Sequence, residues 1–385
     1  MSIRRAVVST TLVVYCVLLF LSVDFVYSTF LHEEDQWPRY PHPAYHHALV
    51  PRFDGYDSWG DVRYPFITDS LGFRDREVRD VPLTATTRRV LLIGDSFTEG
   101  TGVPFEDSFA GRLSSAGMRR PEPVEFLDAG VISYSPTLYY RKIKYLIEHG
   151  LRFDEVVVFS DVSDVYDEAS KYFCHDDDPQ YQRYCDADDR VFFASLCDPL
   201  GGGNTPSCAN PVAHRYAKTG AGAYLTRHFI VTNAVRVITK FRIQQWLGNQ
   251  KKRRLGVDTE TAWLFGDHSH DSDYAPLGRT GGIARSLKNM QALADLLKAH
   301  GIPLTIVIYP WPAQLALGDH DSRQAVLWRE FCATNCKAFI NLLPLFFSAA
   351  QQHADWYERL YVPGDFHYSS EGHRLMFEGL AKHLL

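Results

Sequence analysis

The chain has no surplus of basic charge: 40 lysines and arginines stand against 46 aspartates and glutamates, a formal net charge of −6. Without such a surplus it has no general attraction for a polyanion, and a nucleic-acid partner is excluded as a first reading. Low-complexity sequence is equally scarce. The longest such run is the three glycines at 201–203, and no internal repeat is visible. With 45% hydrophobic and 22% charged residues, disorder, collagen and coiled coil are excluded as overall classes. No motif calls for a metal or an organic cofactor. What remains is a globular chain of 385 residues, long enough for two or three domains or for one large α/β domain with an insertion.

Long apolar runs are also few, and one decides the compartment. After Arg4 and Arg5, residues 6–23 read AVVSTTLVVYCVLLFLSV without a charge, and HEED follows at 32–35. As a helix this run spans about 27 Å, close to the roughly 30 Å hydrocarbon core of a bilayer. Basic residues before it and acidic ones after it predict a cytoplasmic N-terminus and an external body. A cleaved signal peptide is the alternative, but the run is long for one and no A-x-A site follows. Residues 1–31 are therefore expected to form an uncleaved single-pass anchor in the inner, cytoplasmic membrane. The rest of the chain is expected to be periplasmic or otherwise extracytoplasmic.

Seven cysteines are present. Cys16 falls in the anchor, and the other six allow fifteen pairings. Proximity in sequence suggests Cys174 with Cys185, Cys197 with Cys208, and Cys332 with Cys336, as disulfides of an oxidising compartment. Zinc ligation and unpaired buried thiols are the rival readings, and no histidine sits at finger-like spacing from the Cys332 pair.

Residues 32–85, rich in Pro, His, Tyr and Asp, read as a connecting and edge segment. From residue 86 the pattern alternates. Strand RRVLLIG leads to a helix at 107–117, strand VEFLDAGV at 124–131 to a helix at 137–149, and the β-branched run EVVVFSDVSD occupies 155–164. The alternation stops between about 166 and 280, a segment holding four cysteines, a helix expected at 231–247, and the basic cluster KKRR at 251–254. It then resumes with helices at 282–301, 322–334 and 372–385 and strands at 302–312 and 337–344. Such alternation predicts a three-layer α/β/α, flavodoxin-like parallel sheet over 86–385, interrupted by an insertion.

Two short blocks carry the chemistry. In LLIGDSFTEG, Gly94 permits a tight turn and Asp95 can accept from its backbone. Ser96 then stands where a strand gives way to a helix, beside N–H groups able to stabilise an oxyanion. Taken alone, a serine there is usually a helix cap. In VPGDFHYSSEGHRLM, Asp365 and His367 are two apart, so an extended segment would turn both to one face. A carboxylate beside an imidazole fixes its tautomer and stabilises the imidazolium formed when the ring takes a proton from a serine. An ordinary polar loop is the plainer reading of this block, and His373, at a helix start, is read as structural.

Together the blocks resemble the SGNH or GDSL hydrolase superfamily, whose first block is Gly-Asp-Ser and whose last is Asp-x-x-His or Asp-x-His before a Gly, here Gly372. LDAGVISYSP is similar to the second block, commonly Asn-x-Gly-x-x-Gly, and VVVFSDVSD to the third, commonly Gly-x-Asn-Asp. The resemblance covers about 89–165 and 282–385. It departs from the pattern twice, since the second-block glycine falls on Ser133 and the third-block asparagine on Ser163. The resemblance implies Ser96 as nucleophile, His367 as general base and acid, Asp365 orienting it, and oxyanion donors from Ser96, Ser133 and Ser163.

Within the superfamily, the segments TDSLGFRD and FSDVSDVYDE look like those of membrane-anchored, exported bacterial proteins encoded beside membrane-bound O-acyltransferases. That likeness implies an O-acyltransferase or esterase acting on O-acyl groups of cell-surface polysaccharide, with a carbohydrate, the membrane and a membrane-bound O-acyltransferase as partners. Tyr134, Tyr139, Tyr140, Tyr309, Trp311, Trp356, Tyr357 and Tyr361 are expected near the motif loops, as a sugar platform or as core aromatics. A lipase or thioesterase, and a catalytically silent binding scaffold, are the alternative functions.

Overall fold

The computed structural model describes residues 3–31, 38–42, 44–59, 62–173 and 257–385, with six further positions between 228 and 239. The chain divides into two compact units. One gathers Met1–Asp35 with Val212–Lys252, the other Gln36–Pro211 with Arg253–Leu385. Part of the expected insertion is thus grouped with the N-terminal segment rather than with the α/β body.

In the first unit, α1 (Ile3–Val26) continues into a π-turn at Tyr27–Leu31. Val8–Leu31 is long and apolar enough to cross a membrane. Asp24 accepts the backbone N–H groups of Val231 and Thr232 at 3.0 and 2.7 Å. The described positions 231, 232, 235 and 239 are helical; the rest of the helix expected at 231–247, the KKRR cluster, and Cys174, Cys185, Cys197 and Cys208 lie outside the described residues. Cys332 and Cys336, in the second unit, are joined by a disulfide.

The second unit opens with two antiparallel hairpins, β1 (Arg39–His42) with β2 (His46–Leu49), and β3 (Asp54–Trp59) with β4 (Val62–Ile67). Residues 38–85 therefore do more than connect. Tyr40, Leu49, Phe53, Tyr64, Phe66 and Phe73 are buried in the main core. Pro and His in YPHPAYHH hide the alternation by which a half-buried strand is recognised.

The main sheet follows: β5 (Arg88–Gly94), α2 (Ser96–Glu99), α3 (Phe109–Met118), β6 (Val124–Asp128), α4 (Pro136–Glu148), β7 (Glu155–Ser160) and α5 (Asp164–Ser170). After residue 257 come α6 (Ala262–Phe265), α7 (Gly278–Ala299), β8 (Leu304–Ile308), α8 (Pro312–Leu317), α9 (Arg323–Asn335), β9 (Ala338–Asn341), α10 (Leu343–Gln352), α11 (Trp356–Leu360) and α12 (Ser370–Leu384). The five strands are all parallel in the order β6-β5-β7-β8-β9. In chain order that is 2-1-3-4-5, the flavodoxin-like arrangement, whose crevice opens at the carboxyl ends of the first and third strands. Strands buried on both faces need continuous apolar runs, and Val90 to Ile93 and Val156 to Phe159 are all fully buried. Helix α7 packs on α4 and α5, and α3 packs on α12.

Candidate active site

At the end of β5 the backbone has no room for a side chain. A Cβ on Gly94 would stand 2.1 Å from Thr98 Oγ1 and 2.9 Å from the Phe159 Cβ. The turn that follows is closed by Asp95, whose carboxylate accepts the Phe97 N–H at 3.0 Å, and it ends at Gly100 with φ 76°. Ser96 is the first residue of α2, with 6% of its surface exposed.

The other block comes from the loop between α11 and α12. Tyr361 and Tyr368 pair as an isolated bridge, and both hydroxyls donate to the Pro310 carbonyl, at 3.0 and 2.9 Å. Between them Val362 N–H donates to His367 O and Asp365 N–H to Val362 O. Residues 365–367 are a bend, not the extended segment expected. Asp365 and His367 meet because the Asp365 Oδ1 accepts both the backbone N–H of His367, at 2.9 Å, and its Nδ1, at 2.6 Å.

The structure brings the two blocks together, with His367 Nε2 2.8 Å from Ser96 Oγ. A carboxylate can only accept, so the proton between His367 and Asp365 sits on Nδ1 and leaves Nε2 as the acceptor for the serine hydroxyl. The remaining carboxylate oxygen, Asp365 Oδ2, accepts the indole N–H of Trp59 at 2.9 Å. Burial works to raise the Asp365 carboxyl, but the bonds from His367, and then that from Trp59, outweigh it and hold the group below the usual carboxylate range.

Ser133, in the turn after β6, has φ 61°. It thus adopts the left-handed conformation that a glycine takes without strain, at the place where the family pattern has one. Its neighbour Ile132 is held from both sides, its N–H donating to Glu99 Oε2 at 2.9 Å and its carbonyl 2.8 Å from His47 Nε2. Glu99 is in turn ion-paired with Arg39. Ser163 is placed differently from expectation. Its hydroxyl and its N–H both donate to Asp161 Oδ1, at 2.6 and 2.7 Å, so in this conformation neither is free for an oxyanion. The physical reason is the carboxylate two residues earlier, which collects both donors.

Beneath Ser96 lies a group the sequence reading missed. Asp95, Asp161, Asp164 and Asp167 are all buried. Tyr309 donates to Asp95 at 3.0 Å, and Trp311 Nε1 donates to Asp161 at 2.7 Å. Burial, and after it the neighbouring Asp161, push the Asp95 carboxyl well above its ordinary range. The one signal in the sequence was the density of aspartates in GDS and FSDVSD.

The sugar-platform reading of the aromatics is overturned for most of them. Tyr134, Tyr139, Tyr309, Trp311, Tyr357 and Tyr361 are buried core side chains, while Tyr140 and Trp356 are partly buried against the same core. His373 is buried against the Phe109 ring, and burial pushes its imidazole down to about 3. Among the described residues, no group of three or more His, Cys, Asp or Glu could hold a metal ion.

No family model matches the sequence, and no curated protein matches it. Several solved structures are similar to the chain at low identity. A member of the lipolytic protein G-D-S-L family from Veillonella parvula DSM 2008 has 13% identity and TM-score 0.37, over 77% of this chain and 98% of that one. A catalytic mutant of Axe2, an acetylxylan esterase from Geobacillus stearothermophilus, has 7% identity and TM-score 0.39, over 79% of this chain and 96% of that one. LAE5, an alpha/beta hydrolase enzyme from the metagenome of Lake Arreo, Spain, has 11% identity and TM-score 0.37, over 78% and 96%.

Proposed function

We propose that the chain is a serine esterase or O-acyltransferase of the SGNH class, anchored in the membrane and acting outside the cytoplasm on O-acyl groups of carbohydrate. The observation that carries the chemistry is the hydrogen-bonded series Ser96–His367–Asp365, with spacings of 2.8 and 2.6 Å. In a silent scaffold nothing would keep a serine, an imidazole and a carboxylate in that order. The apolar helix and the Cys332–Cys336 disulfide support an exported, tethered enzyme. The carbohydrate assignment rests on the resemblance of TDSLGFRD and FSDVSDVYDE to exported polysaccharide-modifying relatives.

In this mechanism Ser96 Oγ attacks the acyl carbonyl carbon while His367 Nε2 takes its proton, and Asp365 stabilises the imidazolium. The tetrahedral oxyanion is met by the N–H groups of Ser96 and Ser133. Collapse breaks the ester bond, the departing alcohol receives the proton from His367, and the acyl group stays on Ser96. Water or a sugar hydroxyl then gives its proton to His367 as its oxygen attacks the acyl carbon, and when the bond to Ser96 Oγ breaks His367 returns that proton to Oγ, which restores the resting serine and imidazole. A bound sugar hydroxyl has the advantage of high effective concentration over water. The full-length protein in detergent is expected to cleave p-nitrophenyl acetate, to turn over faster with an acceptor oligosaccharide, and to yield acylated sugar. Hydrolysis that no oligosaccharide diverts would reduce the proposal to an esterase, and no cleavage at all would remove it.

A further inference from the structure

Trp59 stands outside every block of the family pattern, 306 residues from Asp365 in sequence, yet its indole N–H reaches Asp365 Oδ2 at 2.9 Å. Its ring also lies edge-to-face on the His367 imidazole, with centroids 4.7 Å apart. We propose that Trp59 is a positioning residue for the acid of the triad, acting through Asp365. This rests on the catalytic reading above and adds a component to it.

The argument begins with what holds Asp365. Both its bonds to His367 fall on Oδ1, so they leave Oδ2 unengaged, and the only other hydrogen bond to its side chain among the described residues is the one that Trp59 makes to that second oxygen. An indole can only donate, so this contact favours the ionised carboxylate that must face an imidazolium. The Asp365 side chain is 26% exposed, against 2% for His367, so without the indole water has access to Oδ2.

The indole is itself fixed. Trp59 ends β3, opposite Val62, and two residues back Asp57 accepts from Tyr64 at 3.1 Å and pairs with Arg39 at 2.8 Å. Arg39 also pairs with Glu99, which holds the Ile132 N–H next to Ser133. One hairpin thus presses on the triad acid through Trp59 while the same ionic cluster sets the turn that carries Ser133.

The test is kinetic. Losing a hydrogen bond to a charged group costs on the order of a tenfold factor, so Trp59→Phe is expected to lower kcat about tenfold with KM little changed. Benzothienylalanine at position 59 keeps the bicyclic shape and replaces N–H by sulfur, and it should give the same loss with an unchanged Tm even if the Phe variant folds poorly. In an Asp365→Ala background the same replacement should cost nothing further, because the group it acts through is gone. Wild-type kcat in the benzothienylalanine protein would overturn the proposal. So would a raised KM at full kcat, or an equal loss in the Asp365→Ala background. Full turnover in Ser96→Ala would instead remove the catalytic reading itself, whatever position 59 does.

Discussion

Ser163 gives both its hydroxyl and its backbone N–H to one oxygen of Asp161, at 2.6 and 2.7 Å. In the superfamily pattern that the sequence resembles, this place belongs to an asparagine. Here a shorter side chain is turned back on its own loop, with Trp311 fixing the other carboxylate oxygen at 2.7 Å. In the proposed mechanism the oxyanion is then left to backbone donors, those of Ser96 and Ser133.

The first prediction follows from that geometry. Removing a working side-chain donor from an oxyanion hole lowers kcat about 10²- to 10³-fold. Ser163→Ala removes no such donor, so it is expected to lower kcat by less than about threefold in steady-state hydrolysis of p-nitrophenyl acetate. A loss near the upper figures would mean that Ser163 leaves Asp161 and joins the hole during turnover.

A second prediction concerns Ser133 and its φ of 61°. For residues other than glycine this conformation costs about 1–2 kcal/mol. Ser133→Gly should be neutral or stabilising by up to about 1 kcal/mol, once the greater freedom of an unfolded glycine is offset. Ser133→Val should destabilise by more than about 1 kcal/mol. Urea unfolding of the two variants checks the order, and a Val variant as stable as the Gly variant would contradict it.

The third prediction is a pH dependence tied to one buried ring. His373 packs on Phe109 and Tyr368, and burial, together with the nearby His367, Arg112 and Arg74, pushes its imidazole down to about 3. The folded ring therefore stays neutral where the unfolded one, near 6.5, takes a proton. Stability from this group is intact above the unfolded value and is lost as pH falls from there towards 3, by up to about 1.4 kcal/mol per pH unit. Other buried groups titrate in the same range, so the comparison is with His373→Phe. Between pH 7 and 5 the wild type should lose stability relative to that variant, and parallel curves would contradict the assignment.

Much of the α/β body was legible in the sequence, for a physical reason. A parallel strand buried on both faces needs an unbroken apolar run, and VLLIG, VVVF and IVI are such runs. That Ser96, Asp365 and His367 meet was legible because they fall in two short recognisable blocks, even though an extended 365–367 was the wrong geometry for bringing two of them together. What could not be read was long-range pairing. Nothing near Trp59 points to Asp365, and nothing near Arg39 points to Glu99. The hairpin that carries Arg39 is also masked by its Pro and His residues. Burial of Tyr309 and Tyr361 was equally hidden, because an aromatic beside a motif reads the same whether it lines a cleft or props the loop from beneath.

The central claim is that Ser96 is the nucleophile, and covalent capture tests it most directly. The full-length protein in detergent, treated with a fluorophosphonate and digested, is expected to carry one phosphonyl group, on the peptide containing Ser96. Prior replacement of His367 by Ala should slow the labelling sharply, because the proton of the attacking hydroxyl then has no acceptor. A protein that stays unlabelled while remaining folded, or one labelled on another residue with Ser96 intact, would contradict the account.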